Sequence, residues 1–257
     1  DIVQPTWYFP KRLPPRDGPP IVVMVPDMIP ELMPEHFPGG SPHLAKESYV
    51  RSATAILCIS RSTERYVHAV YDPLEATTHV TYLGVGPEFR PGLARPPGVP
   101  PDYLLFVGNR GLYKDFQVAL EAFAGIRSQF PDLRLVTVGG KPWAAAETAE
   151  IERLSVADAV LRIDAPDAAL PGLYANARAF LFPSRYEGFG LPTLEAFASG
   201  TPVVLADSSS HPEVGGDAAL YFPPGDAAAL GAQVLRVLDD SALAARLVAA
   251  GRARAAG

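Results

Sequence analysis

Cysteine is nearly absent from this chain: Cys58 stands alone among 257 residues. A single thiol excludes any intrachain disulfide and any cysteine-cluster zinc site, and it fits a reducing compartment. Lysine is scarce as well. Lys11, Lys46, Lys114 and Lys141 are the only lysines among 22 basic residues, so nearly all basic residues are arginine, a bias that follows genome composition rather than function. Excess positive charge is lacking: the net charge is −6, which argues against a nucleic-acid binder acting through bulk charge. No apolar run reaches the roughly 18 residues a membrane helix needs, and no signal-peptide pattern opens the chain. There is no D-x-D pair, no H-E-x-x-H and no G-x-S-x-G, so nothing points to a bound metal or to a serine-hydrolase elbow.

What is plentiful is proline and glycine, 28 and 22 residues. They are interrupted by periodic apolar segments, which excludes disorder. With 48% hydrophobic and 19% charged residues the composition is that of a globular protein. The length suits one large domain or two small ones. The chain opens on Asp1 and closes in sequence that still reads as helix, so a processed or truncated chain is expected.

Residues 1–20 are rich in proline and arginine and read as irregular. Short apolar runs at 21–25 and 55–59 read as strands buried on both faces, and 79–83 as a third strand. Between the first two, 26–42 carries Pro26, Pro30, Pro34, Pro38 and Pro42 and reads as a long loop, followed by a short helix over 43–52. Ser60 or Ser62 is placed to cap a helix running to about Tyr71. Residues 84–101 hold ten prolines and glycines and read as the linker. Beyond it come strands at 103–107, 133–138, 159–163, 179–182, 203–205 and 219–221. Helices are expected at 116–130, where apolar residues fall at 116, 119, 120, 123 and 126, and at 144–155, 170–175 and 192–199. Two Ala- and Leu-rich helices finish the chain. Short buried strands alternating with helices predict parallel sheets covered on both faces. The fold class is therefore α/β, with two doubly wound lobes: an incomplete one over 1–83 and a fuller one over 102–257. Ligands in such sheets sit at the carboxyl ends of the strands.

The densest chemistry lies at Arg185-Tyr186-Glu187-Gly188-Phe189-Gly190-Leu191-Pro192-Thr193-Leu194-Glu195, between a strand and a helix. Gly188 and Gly190 allow close backbone approach. Pro192 suits the start of a helix, and Gly200 its left-handed stop. The helix start then forms an anion site. Glu187 in the loop and Glu195 one turn into the helix can border one pocket. By residue type alone the glycines also suit a plain turn, and the glutamates a solvated face. A dinucleotide fingerprint fits poorly, because Thr193 stands where its third glycine belongs. A second signal, Val107-Gly108-Asn109-Arg110-Gly111-Leu112-Tyr113-Lys114, puts two cations after a strand, where they suit a diphosphate or simply solvent. Asp115 in place of Ser or Thr excludes a P-loop. Two weaker signals also follow strands: Ser208-Ser209-Ser210-His211-Pro212-Glu213, which reads mainly as a helix cap with a proline start, and Pro26-Asp27-Met28.

The run 182–196, with Gly200-Thr201-Pro202-Val203-Val204 and Pro212-Glu213-Val214-Gly215-Gly216-Asp217-Ala218-Ala219, closely resembles the GT-B retaining glycosyltransferases of family 4, the mannosyltransferase-like group. Gly108–Lys114 and Val25–Glu31 with Ile59-Ser60 are similar to that family too. The resemblance implies two Rossmann-like lobes, no metal and no cofactor. It also implies transfer of a sugar from a nucleotide diphosphate sugar, such as GDP-mannose, to a glycan or lipid-linked acceptor. By resemblance Glu187 is the catalytic-site carboxylate at the donor sugar and Glu195 holds the ribose. Arg110 and Lys114 neutralise the diphosphate, with Gly108, Gly188, Phe189, Gly190 and Leu191 lining the donor, and the segment near Asp164 lies by the base. A cytoplasmic location is implied, with peripheral contact at the inner face of the membrane. One departure stands out: Pro26 occupies the place where the family carries histidine. That departure supports the alternative of a donor-binding module that holds nucleotide sugar without transferring it. A nucleotide-sugar epimerase on the same fold lacks a convincing acid–base pair here.

Overall fold

The computed structural model describes residues 1–5, 8, 18–37 and 39–257, with backbone alone at Leu112. The irregular start expected over 1–20 lies in large part outside the described residues; within it, Val3 forms an isolated parallel bridge with Ile21. The chain divides into two compact units, Asp1–Leu83 with Tyr186–Phe189, and Gly84–Arg185 with Gly190–Gly257.

The first unit holds a parallel sheet in the order β1 (Val22–Val25), β2 (Ala55–Cys58), β3 (Thr77–Val80). Val23, Val25, Ile56 and Cys58 are buried, packed with Met28, Tyr49, Val67 and Tyr71. The loop expected over 26–42 contains helix α1 (Ile29–Leu32) and two 3-10 turns, Pro34–His36 and Pro42–Ala45. Each begins with proline in its first turn, where the missing N–H has no intrahelical partner to lose. The helix expected over 43–52 is the shorter α2 (Lys46–Val50). Ser60 caps α3 (Arg61–Tyr71), its Oγ accepting from Thr63 N at 2.9 Å. β3 lies two residues before its expected start, because this strand is half exposed and carries threonine and histidine instead of an apolar run.

The second unit is built on a six-stranded parallel sheet: β4 (Tyr103–Val107), β5 (Arg134–Val138), β6 (Val160–Ile163), β7 (Ala179–Phe182), β8 (Val203–Ala206) and β9 (Ala219–Phe222). All four residues of β7 and of β8 are buried, as continuous apolar strands in a covered sheet must be. The helices are α4 (Phe116–Ile126), α5 (Ala145–Arg153), α6 (Leu170–Ala175), α7 (Leu191–Ser199), α8 (His211–Gly215), α9 (Ala227–Asp239) and α10 (Ser241–Ala255). α4 stops four residues short of its expected end and passes into a 3-10 turn, Arg127–Gln129. Residues 84–101 run along this unit: Phe89 meets the Tyr174 ring edge-on at 5.9 Å, and Asn176 Nδ2 donates to Leu93 O at 3.0 Å.

Candidate functional site

The strand order of the second sheet is β6-β5-β4-β7-β8-β9. From β4 the chain builds outward to β6, then returns to β7 beside β4 and builds outward the other way. Such a reversal opens a crevice beyond the carboxyl ends of the two central strands, the usual ligand position in an open α/β sheet. The two strongest sequence signals follow these same two strands. Residues 108–114 leave β4, and the loop entering α7 leaves β7.

Phe182, the buried last residue of β7, is the platform of this place. Lys114 Nζ stands 5.4 Å from the Phe182 ring centroid and equally far from that of Tyr113. The His211 ring centroid lies 4.9 Å from that of Phe182. Gly190 caps the amino end of α7 with φ +95°, a backbone conformation that suits glycine. A Cβ there would stand 3.4 Å from Phe182 Cε1 and 3.6 Å from both His211 Cδ2 and Thr193 Oγ1. Gly190, Leu191 and Lys114 are thus brought around one aromatic ring, with the positive end of α7 and a cation together. Gly108 starts the β4 loop at φ +130°, its N–H bonded to Val138 O at 2.9 Å.

Glu195 is half-buried within α7. Burial pushes its carboxyl above the usual range, the nearby Tyr174 hydroxyl works against that, and the Glu88 charge adds to it. The Tyr174 hydroxyl is itself raised, mainly by burial. Asp164 is exposed after β6, two strands away from β4.

Arg110 is engaged by its own chain. Its Nε donates to Glu147 Oε1 at 2.8 Å, Nη2 to Glu147 Oε2 at 3.3 Å and Lys141 O at 2.5 Å, and Nη1 to Gly139 O at 3.0 Å. The guanidinium also lies 4.3 Å over the Trp143 ring. Arg110 therefore ties the β4 loop to the β5 loop and to α5. Beside it is a cavity of about 750 Å³ lined by Asn109, Gly111, Phe116, Lys141 and Glu147 among others. The sequence carried no signal for Glu147 and Trp143 as its partners.

Tyr186–Phe189 belongs to the first unit. Tyr186 is buried in that unit's core, its hydroxyl accepting from Met28 N at 3.3 Å. Gly188 O accepts from Ser60 Oγ at 2.6 Å and Thr63 Oγ1 at 3.0 Å. A Cβ on Gly188 would fall 1.9 Å from Pro26 O, so glycine here answers a close approach of two stretches of backbone. Phe189 and Tyr82 rings lie 6.1 Å apart, and Glu187 between these anchors is 8% exposed. The turn after β1 is fixed by a buried ion pair, Lys46 Nζ to Glu31 Oε2 at 3.1 Å. Lys46 Nζ also donates to Asp27 O at 2.6 Å, and Tyr71 OH to Glu31 Oε1 at 2.7 Å. Ser60, Thr63 and Lys46 were missed as holders of these loops, since their partners lie far along the chain.

Among the described residues no cluster of His, Cys, Asp and Glu could hold a metal ion, and no helix is long and apolar enough to cross a membrane.

Residues 95–254 match the family described as glycosyl transferases group 1. The O-antigen chain mannosyltransferase B of Escherichia coli is 36% identical over 159 residues, 60% of this chain and 41% of that protein. The glycogen synthase of Mycobacterium tuberculosis is 30% identical over 217 residues, 82% of this chain and 52% of that protein. The chain thus spans about half the length of the curated relatives it matches. Among solved structures, sucrose-phosphate synthase from Thermosynechococcus elongatus superposes with a TM-score of 0.76 at 23% identity, over 93% of this chain and 63% of that one. HepE from Anabaena, solved with UDP and glucose, gives 0.77 at 19% identity, over 93% of this chain and 67% of that one. These likenesses give the fold, two parallel-sheet units of GT-B type with part of the GT-B chain present. With its strand-reversal site, its two motif loops and the matched run 95–254, the chain belongs to the group 1 glycosyl transferases, the retaining GT-B glycosyltransferases of family 4.

Proposed function

We propose that the chain carries the donor site of a retaining glycosyltransferase that moves a hexose from a nucleotide diphosphate sugar to a glycan or lipid-linked acceptor. The observation that carries this reading is the gathering of Lys114, Gly190 and the start of α7 around Phe182, at the strand reversal. A diphosphate leaving group develops negative charge as the glycosidic bond breaks. A preorganised cation and a helix amino terminus stabilise that charge without metal. In this reading Lys114 and the Leu191 N–H hold the diphosphate, while Arg110 adds charge from its fixed place between Glu147 and Trp143. Glu195 accepts the two ribose hydroxyls. Its raised carboxyl favours a ligand that supplies hydrogen-bond donors to a half-buried carboxylate. Glu187, with Gly188 and Phe189, meets the sugar. The mannosyltransferase among the relatives favours mannose as the sugar, with GDP-mannose as the donor. Transfer then takes place in the cytoplasm, beside the membrane that carries a lipid-linked acceptor.

The two glutamates test this. Glu195→Ala weakens binding of the bare nucleoside diphosphate, because it removes both ribose contacts. Glu187→Gln leaves that affinity nearly intact and lowers turnover of the nucleotide sugar, since shape is kept while charge is lost. Calorimetry with GDP and UDP, beside product analysis with GDP-mannose, reads both effects. Equal weakening of the bare diphosphate by the two substitutions contradicts the assignment. Pro26, where the family's histidine is absent, favours one second reading, a chain that binds the donor without transferring it. Binding with no turnover in the unsubstituted chain is its result.

A further inference from the structure

His211 is fully buried, and its two ring nitrogens have different surroundings. Nδ1 lies 2.9 Å from Ala206 O, and a carbonyl only accepts, so Nδ1 carries the proton. Nε2 is then a bare acceptor, and among the described residues it has no hydrogen-bond partner. Cδ2, the ring carbon bonded to Nε2, lies 3.6 Å from the place a Cβ on Gly190 would take. Thr193 Oγ1, also fully buried and unpartnered among the described residues, borders the same spot. Buried polar atoms are seldom left unpaired, and here two belong to side chains that meet at one helix start.

The surroundings say which ligand. The β4 loop presents the Lys114 ammonium, whose charge acts on the imidazole. β7 presents the Phe182 ring and β8 the Ala206 carbonyl. α7 presents its amino end and the Thr193 hydroxyl. Lys114 is the charged side chain acting on His211, and an anion is what a cation and a helix start select together. An anionic oxygen cannot rest against the lone pair of Nε2. It can rest against Nε2–H.

We propose that His211 is a ligand contact at the Gly190 turn, its Nε2 taking one proton from solvent and donating it as a hydrogen bond to the outermost phosphate of a bound nucleoside diphosphate. This rests on the reading of the site as a nucleotide-sugar site. The only bonds that change are to hydrogen: one proton leaves water or a buffer acid, which keeps the electron pair, and forms the Nε2–H bond, and the imidazolium pairs with phosphate. Burial and Lys114 keep the ring neutral in the empty site, with its protonation pushed down to about 4. A phosphate offsets the Lys114 charge and supplies an acceptor, so both effects reverse. The outermost phosphate of a nucleoside diphosphate carries nearly two negative charges near neutrality, whereas in the nucleotide sugar it is esterified and carries one. The leaving product therefore draws the proton more strongly than the donor does, and product release becomes easier as pH rises.

The test is calorimetric titration of the whole chain with GDP and UDP at pH 7, in buffers of different ionisation enthalpy, beside nitrogen-15 spectra of the histidine rings. The expected result is uptake approaching one proton per diphosphate bound and a smaller uptake with the nucleotide sugar. His211→Gln removes most of the uptake. In the spectra His211 passes from the neutral Nδ1–H form to a ring protonated on both nitrogens, a readout in the unsubstituted chain that does not depend on how the variant folds. Diphosphate binding with His211 still neutral overturns this proposal and leaves the nucleotide-sugar reading intact. Failure of both diphosphates to bind overturns that reading and this proposal together.

Discussion

Replacing Gly188 with alanine puts a methyl group into the backbone of the first unit. The Cβ would stand 1.9 Å from Pro26 O, 2.9 Å from Asp27 Cβ and 3.0 Å from Pro26 C. Ordinary contact begins near 3.4 Å, so the Pro26 carbonyl or the 186–189 segment must move by about 1.5 Å. Neither neighbour is the end of a flexible side chain. Overpacking of this kind costs about 1–3 kcal/mol. The movement also displaces Gly188 O from the Ser60 and Thr63 hydroxyls, at about 0.5–1.5 kcal/mol each. The segment should therefore lose roughly 2–6 kcal/mol of local stability. Gly188 has no positive φ, so the effect isolates the clash from backbone strain. Amide hydrogen exchange reads it at Met28 N, whose partner is the Tyr186 hydroxyl. At about 2 kcal/mol that amide loses protection about thirtyfold. Gly111→Ala is the control, with no atom within 4 Å of its Cβ and an ordinary φ, and should change little. Equal exchange at Met28 in both variants would refute the reasoning.

Arg110→Ala should lower stability by about 2–4 kcal/mol in urea unfolding, because Glu147 and two carbonyls lose a buried partner. Arg110→Lys should recover little of this, since an ammonium cannot fork to Glu147 while lying on Trp143. The empty chain should lose about 3 kcal/mol through His211 between pH 6.5 and pH 4, read as a falling urea midpoint. The unfolded imidazole gains its proton below about 6.5 and the folded one only near 4, so stability is whole above the first value and declines toward the second. His211→Gln should flatten that slope.

The sequence revealed the second sheet best. β4, β7 and β8 are continuous apolar runs because both faces of the sheet are covered, and that pattern needs no partner to be recognised. β3 was misplaced because an exposed edge strand of threonine and histidine carries little hydrophobic pattern. The prolines of 26–42 read as breakers, yet Pro30, Pro34 and Pro42 open short helical turns. At the site, the loop–helix signal of 185–195, with its stop at Gly200, is legible because turn, proline start and stop are local features. The Arg110 contacts were not, because Gly139, Lys141, Trp143 and Glu147 lie about thirty residues on and reach it only through the β4–β5 pairing. His211 read as part of a helix start, and it does open α8. Its place beside Phe182 and Gly190 depends on β7 and β8 being neighbours, which spacing along the chain does not encode.

Lys114 tests the central claim most directly. If the strand-reversal site binds a nucleoside diphosphate through the Lys114 ammonium and the start of α7, calorimetry should show a differential loss. Lys114→Ala should weaken GDP or UDP by about 1.5–3 kcal/mol, roughly 10- to 150-fold, the range for hydrogen bonds to charged groups. The same substitution should leave binding of the corresponding free nucleoside unchanged. Equal weakening of diphosphate and nucleoside, or diphosphate affinity untouched by the loss of Lys114, would contradict the account.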